Sequence, residues 1–237
     1  MKKIESNHFV NHLYIKKQMS RKKTIMIFHG WGSSVHNYKR PAENLSTLGF
    51  KIIVPEIIFH DSRSKFENHF LKEVTQKYFW KTIFRSIDEA SLLFEELGIL
   101  KEDTILMGIS MGGFIANGIY ANGQNFAGLV NINGSGSFLL SEKIFRQNDH
   151  RPRLSIAETK EINIYNPIDK IACPSPILLM HGEQDTIVSI EGQKDYFNFL
   201  TESDTVHDVI FNIYKNVNHS FSEEMMENLK QWLVKKF

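Results

Sequence analysis

Apolar residues in this chain gather in short unbroken runs, separated by turns and by stretches with helical spacing. The runs lie at residues 24–28, 52–54, 104–109, 129–132, 177–180 and 206–213. Most are apolar at successive positions, the pattern of strands buried on both faces in a parallel sheet between helices. Between them, Trp80, Ile83, Phe84, Ile87, Phe94 and Leu97 fall on one helical stripe that Gly98 can terminate. Met111, Phe114, Ile115 and Ile119, with the small Gly118, make a second stripe directly after the run at 104–109. Near the end, Ser222 can cap a helix with Glu223 and Glu224 in its first turn. Met225, Met226, Leu229, Trp232 and Leu233 form its apolar face. Strands alternating with helices predict an α/β domain with a mostly parallel central sheet and helices on both faces. Residues 8–15 predict an extra strand or hairpin at the sheet edge.

Two segments break this rhythm. Residues 55–78 are polar and aromatic, and residues 135–174 interrupt two predicted strands. Loops of that length inside a compact domain are usually functional or hold short helices, so both are candidates for the walls and lid of a pocket. The expectation is one domain over residues 1–237, with a small cap insertion within 135–174.

Composition narrows the functional classes. The 237 residues carry a formal charge of +1, with 42% hydrophobic and 23% charged residues. That disfavours disorder and gives no electrostatic reason to expect nucleic acid or an anionic membrane as partner. The basic clusters Lys16, Lys17, Arg21, Lys22, Lys23 and Lys235, Lys236 read as solvated faces, balanced by acids elsewhere. Cys173 is the lone cysteine, so neither an intrachain disulfide nor a cysteine-rich metal site can form; before an apolar run it reads as a small buried residue. Met1-Lys2-Lys3 is followed by Ile4-Glu5-Ser6-Asn7-His8, not by an apolar run, and no stretch approaches the ~20 apolar residues of a membrane span. The expected compartment is the cytosol.

Gly108-Ile109-Ser110-Met111-Gly112-Gly113 matches G-x-S-x-G between a buried run and an amphipathic stripe. A sharp strand-to-helix turn there exposes one hydroxyl at a positive helix N-terminus, with glycines where side chains would clash. The bland alternative is a structural glycine turn. A serine hydroxyl needs a base to take its proton. His219, between the last predicted strand and helix, occupies the same carboxyl rim of the sheet as Ser110. Asp185, just after the run at 177–180, is the candidate for orienting the imidazole; Glu183 is its local rival, and Asp204 and Asp208 are weaker ones. The order Ser, Asp, His is the one that accompanies this type of turn. Backbone N–H groups of Met111 and of Trp31, within His29-Gly30-Trp31-Gly32, are candidate oxyanion donors. The His29 side chain reads as loop support, and His181 as support for the loop carrying Asp185. His60-Asp61 lacks further ligands at metal-binding spacing, so no metal is expected. Phe66, Phe70, Tyr78, Phe79 and Trp80 read mostly as packing, with some available to line an acyl pocket.

Together these motifs, in this order, resemble the α/β-hydrolase superfamily over nearly the whole chain. Within it the chain is similar to small bacterial serine esterases related to dienelactone-hydrolase and prolyl-oligopeptidase catalytic domains. The resemblance implies the α/β-hydrolase fold with a short lid-like insertion. It also implies a Ser110–His219–Asp185 triad, Trp31 and Met111 as backbone oxyanion donors, and no cofactor. In those esterases the loop after the second core strand often carries His-Gly-x-Arg-Gly. Here it reads His60-Asp61-Ser62-Arg63-Ser64, with both glycines replaced, and His60 and Arg63 stand as candidate pocket residues. The implied activity is that of a carboxylesterase (EC 3.1.1.-), cleaving a small or medium ester through an acyl-serine. A peptidase or thioesterase of the same fold, or a non-catalytic binder, are the competing readings.

Overall fold

Among the described residues the strands form one eight-stranded sheet, in the order β1-β2-β4-β3-β5-β6-β7-β8. They are β1 (Lys2–Glu5), β2 (Val10–Tyr14), β3 (Thr24–Phe28), β4 (Lys51–Pro55), β5 (Thr104–Ile109), β6 (Gly128–Ile132), β7 (Ile177–Gly182) and β8 (Val209–Tyr214). The computed structural model describes residues 2–15, 21–123, 125–168, 170, 174–202 and 208–237, so Lys16, Lys17, Cys173, Asp204 and the start of the run at 206 lie outside the described residues. Residues 8–15 supply the extra strand foreseen there, β2, which forms a hairpin with the edge strand β1 and runs antiparallel to β4. All remaining pairs are parallel.

Among the described residues seven α-helices surround the sheet: α1 (Lys39–Ser46), α2 (Lys72–Leu97), α3 (Met111–Asn122), α4 (Phe138–Asn148), α5 (Ile156–Tyr165), α6 (Glu191–Thr201) and α7 (Glu223–Lys236). The unbroken apolar runs follow from this layering. On one face Met26, Leu106, Leu129 and Leu179 pack with Ile83 and Phe94 of α2, Phe114 and Ile115 of α3, and Leu200 of α6. On the other face Ile25, Ile105, Val130 and Met180 pack with Leu45 of α1 and Leu229 and Trp232 of α7. β8 departs from the expectation of burial on both faces. As the edge strand it leaves Ile210 and Ile213 exposed.

The helix signals hold at their ends. Gly98 closes α2 in the left-handed conformation at φ 58°, and the Ser222 hydroxyl caps α7 by accepting from the Met225 N–H. α2 begins at Lys72, earlier than its apolar stripe, because its first two turns face solvent and the cleft instead of the core. The 135–174 interruption contains α4 and α5; Ser155 and Glu158 form a reciprocal capping box at the start of α5. β3 pairs with β4 on one side and β5 on the other. The crevice beyond the carboxyl ends of β3 and β5 is therefore a topological switch point, where ligands of open α/β sheets bind.

Candidate active site

Ser110 alone joins β5 to α3, at φ 57° and ψ −124°, a conformation rarely adopted by side-chain-bearing residues. Two glycines permit the turn. A Cβ at Gly108 would lie 1.9 Å from the Gly112 carbonyl oxygen, and one at Gly112 would lie 1.9 Å from the Phe28 carbonyl oxygen. Hydrogen bonds from Ser110 N–H to Ile132 O (2.9 Å) and from Gly113 N–H to Ser110 O (2.8 Å) hold it in place.

His219 Nε2 lies 2.8 Å from Ser110 Oγ, and its Nδ1 lies 2.7 Å from Asp185 Oδ2. With the carboxyl ionised, Nδ1 carries the hydrogen and Nε2 is left to accept the serine proton. Asp185 is enclosed. Burial alone would raise its carboxyl, but hydrogen bonds from His181 and His219, the imidazole charge and the Val188 N–H outweigh it, holding the group well below the usual carboxylate range. Its Oδ1 accepts from the backbone N–H groups of Ile187 and Val188, both at 2.9 Å. His181 Nε2 donates to Val188 O (2.9 Å) and lies 3.3 Å from Asp185 Oδ2, so it braces this loop as expected. The rivals are elsewhere: Glu183 is exposed, and Asp208 pairs with Lys236 at 2.6 Å.

The relay is assembled by residues with no catalytic signature. Asn133 accepts from Gly182 N–H (2.9 Å) and donates to Ser220 O (2.8 Å), clipping the ends of β6 and β7 to the histidine loop. Asn218 Oδ1 accepts from Thr186 N–H (3.0 Å) and His219 N–H (2.7 Å), tying the Asp185 loop to the His219 loop. A polar Asn between apolar segments is the only sequence signal for either.

The loop after β3 supplies the second oxyanion candidate. Gly30 N–H donates to Tyr38 Oη (3.2 Å) and Gly32 N–H donates to His60 Nε2 (3.0 Å). Among the described residues, the N–H groups of Trp31 and Met111 have no acceptor. Met111 is the first residue of α3, where no intrahelical acceptor exists. His29 is buried, with Nδ1 3.0 Å from Gly30 O and Nε2 3.0 Å from Asp61 Oδ2, which makes it the loop support expected.

His60 and Arg63 do not line the cleft. His60 is fully buried beneath the loop after β3: its Nδ1–H donates to Ile58 O (3.0 Å) while Nε2 holds Gly32. Burial first, then the neighbouring His29, lowers it to about 3, so it stays neutral. Arg63 makes a forked pair with Glu89 at 2.9 and 3.0 Å. The two positions where related esterases carry glycine, Asp61 and Ser64, both have positive φ (50° and 59°). The turn survives without glycine, and the Asp61 carboxylate gains Val35 N–H (3.0 Å) and His29 as partners.

Ser110 and His219 open into a cleft of about 540 Å³, mostly apolar, with Trp31, Phe70, Phe79, Phe145, Ile187 and Val188 in its walls. Trp80 also reaches the cleft; Phe66 and Tyr78 instead pack on each other (4.6 Å between ring centroids). Phe70 and Ile187, at 73% and 62% exposure, make an apolar mouth. Glu142, Asp149 and Arg151 also line the cleft, and nothing in the sequence marks them as site residues. No helix among the described residues is long and apolar enough to cross a membrane.

Comparison with known proteins finds esterases and a thioesterase among the relatives of this chain. The chain is 28% identical to esterase YjfP of Escherichia coli (strain K12) over 178 residues, 69% of each chain. It is 25% identical to acyl-protein thioesterase 1 of Gibberella zeae over 228 residues, 87% of this chain and 84% of that protein. The crystal structure of TT1662 from Thermus thermophilus superposes with a TM-score of 0.71 at 15% identity, covering 99% of this chain and 96% of that one. The sequence profile of the dienelactone hydrolase family matches residues 9–231, nearly the full length. The chain belongs to the dienelactone hydrolase family, within the α/β-hydrolase fold.

Proposed function

We propose that this protein hydrolyses small or medium carboxylic esters through an acyl-Ser110 intermediate. The continuous relay from Asp185 through His219 to Ser110, at 2.7 and 2.8 Å and open to an apolar cleft, carries the reading. Ser110 Oγ attacks the ester carbonyl as His219 Nε2 takes its proton. The carbonyl oxygen becomes an oxyanion facing the Trp31 and Met111 N–H groups; each such donor typically contributes about 3–4 kcal/mol to the transition state. Collapse of the tetrahedral species breaks the bond to the alkoxy oxygen, and His219 returns the proton to the leaving alcohol. Water, deprotonated by the same imidazole, then attacks the acyl-serine and releases the acid. Asp185 stays ionised and stabilises the imidazolium. α4 and the turn after it, within residues 135–174, act as the cap over the cleft, and the cytosol is the proposed compartment.

A fluorophosphonate probe tests this reading, alongside chromogenic esters, a matched thioester and an aminoacyl amide. Wild-type labelling that vanishes in Ser110→Ala, with turnover of short esters above the amide, is expected. An unlabelled wild-type protein would put the non-catalytic binder ahead. Faster amide turnover would favour a peptidase.

A further inference from the structure

A second cleft of about 510 Å³ lies behind the first, between α2 and the α4–α5 pair. Gln76, Trp80, Glu142 and Arg151 line both clefts, so they form the wall between them. The two sides differ in chemistry. Toward Ser110 the wall meets Phe79 and Phe145; on the far side it meets Lys77, Lys81, Arg85 and Glu161.

We propose that Trp80, Glu142 and Arg151 form a polar partition that sets the longest acyl chain the active site accepts. This rests on the ester-hydrolase reading and names its specificity device. Glu142 is only 3% exposed, and three donors hold its carboxylate: Trp80 Nε1–H of α2 on Oε2 (2.7 Å), and Arg146 Nε–H one turn along α4 (2.7 Å) and Arg151 Nη1–H just beyond α4 (2.9 Å) on Oε1. An alkyl chain leaving Ser110 along Phe79 and Phe145 gains favourable burial with each methylene until it reaches this carboxylate. To pass, it must leave buried charged groups without partners, a far larger penalty than one methylene returns. An aliphatic wall could rotate aside; a carboxylate held from three directions cannot do so without losing its bonds. The polarity of the barrier therefore makes the length limit sharp.

The test separates binding from turnover. In Ser110→Ala, affinity for straight-chain methyl esters is expected to rise about fourfold per methylene and then level off at one chain length. Adding Arg151→Ala, which leaves Glu142 bonded to Trp80 and Arg146, moves the break to longer chains; Trp80→Leu does the same from the other side of the wall. Leu154→Trp fills the second cleft only. It should leave the parent profile unchanged and restore the original break when combined with Arg151→Ala. An affinity that climbs through all lengths in Ser110→Ala, or a break that neither wall variant moves, overturns the proposal. Ester turnover by the protein with Ser110 intact reports separately. Its absence would remove the acyl-enzyme reading while the break in affinity still tests the partition.

Discussion

Replacing Asp185 by asparagine changes one atom, and the structure dictates what that atom does. Two backbone N–H groups, from Ile187 and Val188, hold Oδ1 at 2.9 Å. An amide at this position must keep its oxygen toward them, because turning it over would set NH₂ against two N–H donors. The NH₂ therefore faces His219 Nδ1, where the carboxylate oxygen stands 2.7 Å away in the native site. Nδ1 becomes an acceptor, the ring hydrogen moves to Nε2, and Nε2 presents N–H to Ser110 Oγ instead of a lone pair. The general base is lost while the geometry is kept. A wrong tautomer of this kind costs about 10⁴-fold in kcat in a serine-protease triad, roughly 5.5 kcal/mol of transition-state stabilisation. The NH₂ also faces His181 Nε2–H, 3.3 Å from the present oxygen, so a stability loss of about 1–2 kcal/mol is expected. Steady-state hydrolysis of a short chromogenic ester, with urea unfolding alongside, measures both. KM should change little. A folded Asp185→Asn protein within about tenfold of wild-type kcat would refute the reasoning, as would an equal loss in Glu183→Gln, whose side chain is exposed.

Further outcomes follow from the loops and turns. His60 is lowered from 6.5 to about 3 by burial, so the unfolded chain binds its proton at a higher pH than the folded one, and stability falls as pH drops through that window. Between pH 6.5 and 4.5 this amounts to about 2.5 kcal/mol. That range lies above the one in which the depressed Asp61 and Asp185 lose their own contribution on acidification. His60→Asn, which keeps an acceptor for Gly32 but does not titrate, should show a flatter urea midpoint over that range. Ser64→Gly removes a side chain at φ 59° and should stabilise by about 1 kcal/mol. Asp61→Gly relieves the same strain but strips buried His29 of its carboxylate, and a net loss of about 1–3 kcal/mol in chemical denaturation is expected. Gly112→Ala would drive a methyl group to 1.9 Å from the Phe28 oxygen and should cost more than about 3 kcal/mol. Gly98→Ala, at φ 58° with open space around it, should cost only about 1 kcal/mol.

The legible parts of this protein are those where local geometry admits few residue types. The turn at Ser110 demands small residues at 108 and 112, so its pattern survives in sequence and reports on structure directly. The core strands read as unbroken apolar runs because helices cover both of their faces. Other features left weaker traces. The S-x-x-E pattern at Ser155–Glu158 was present and marks α5, yet the segment around it reads as an interruption because α5 has a single fully buried residue, Ile162. β8 reads like a core strand, since apolar content does not reveal whether a strand has a neighbour on both sides.

The chain order of its motifs therefore pointed to the layered fold, the sharp turn at Ser110 and the rim that Ser110, Asp185 and His219 share. Whether they meet, and what surrounds them, was settled by long-range contacts. Asn133 and Asn218 join loops far apart in sequence, His60 reaches across to Gly32, and Glu142 meets donors from α2 and from beyond α4. Each is an ordinary polar residue whose role depends on what folding places beside it. Backbone requirements are local and leave a mark on residue choice, while a side-chain hydrogen bond depends on partners that only the assembled structure supplies.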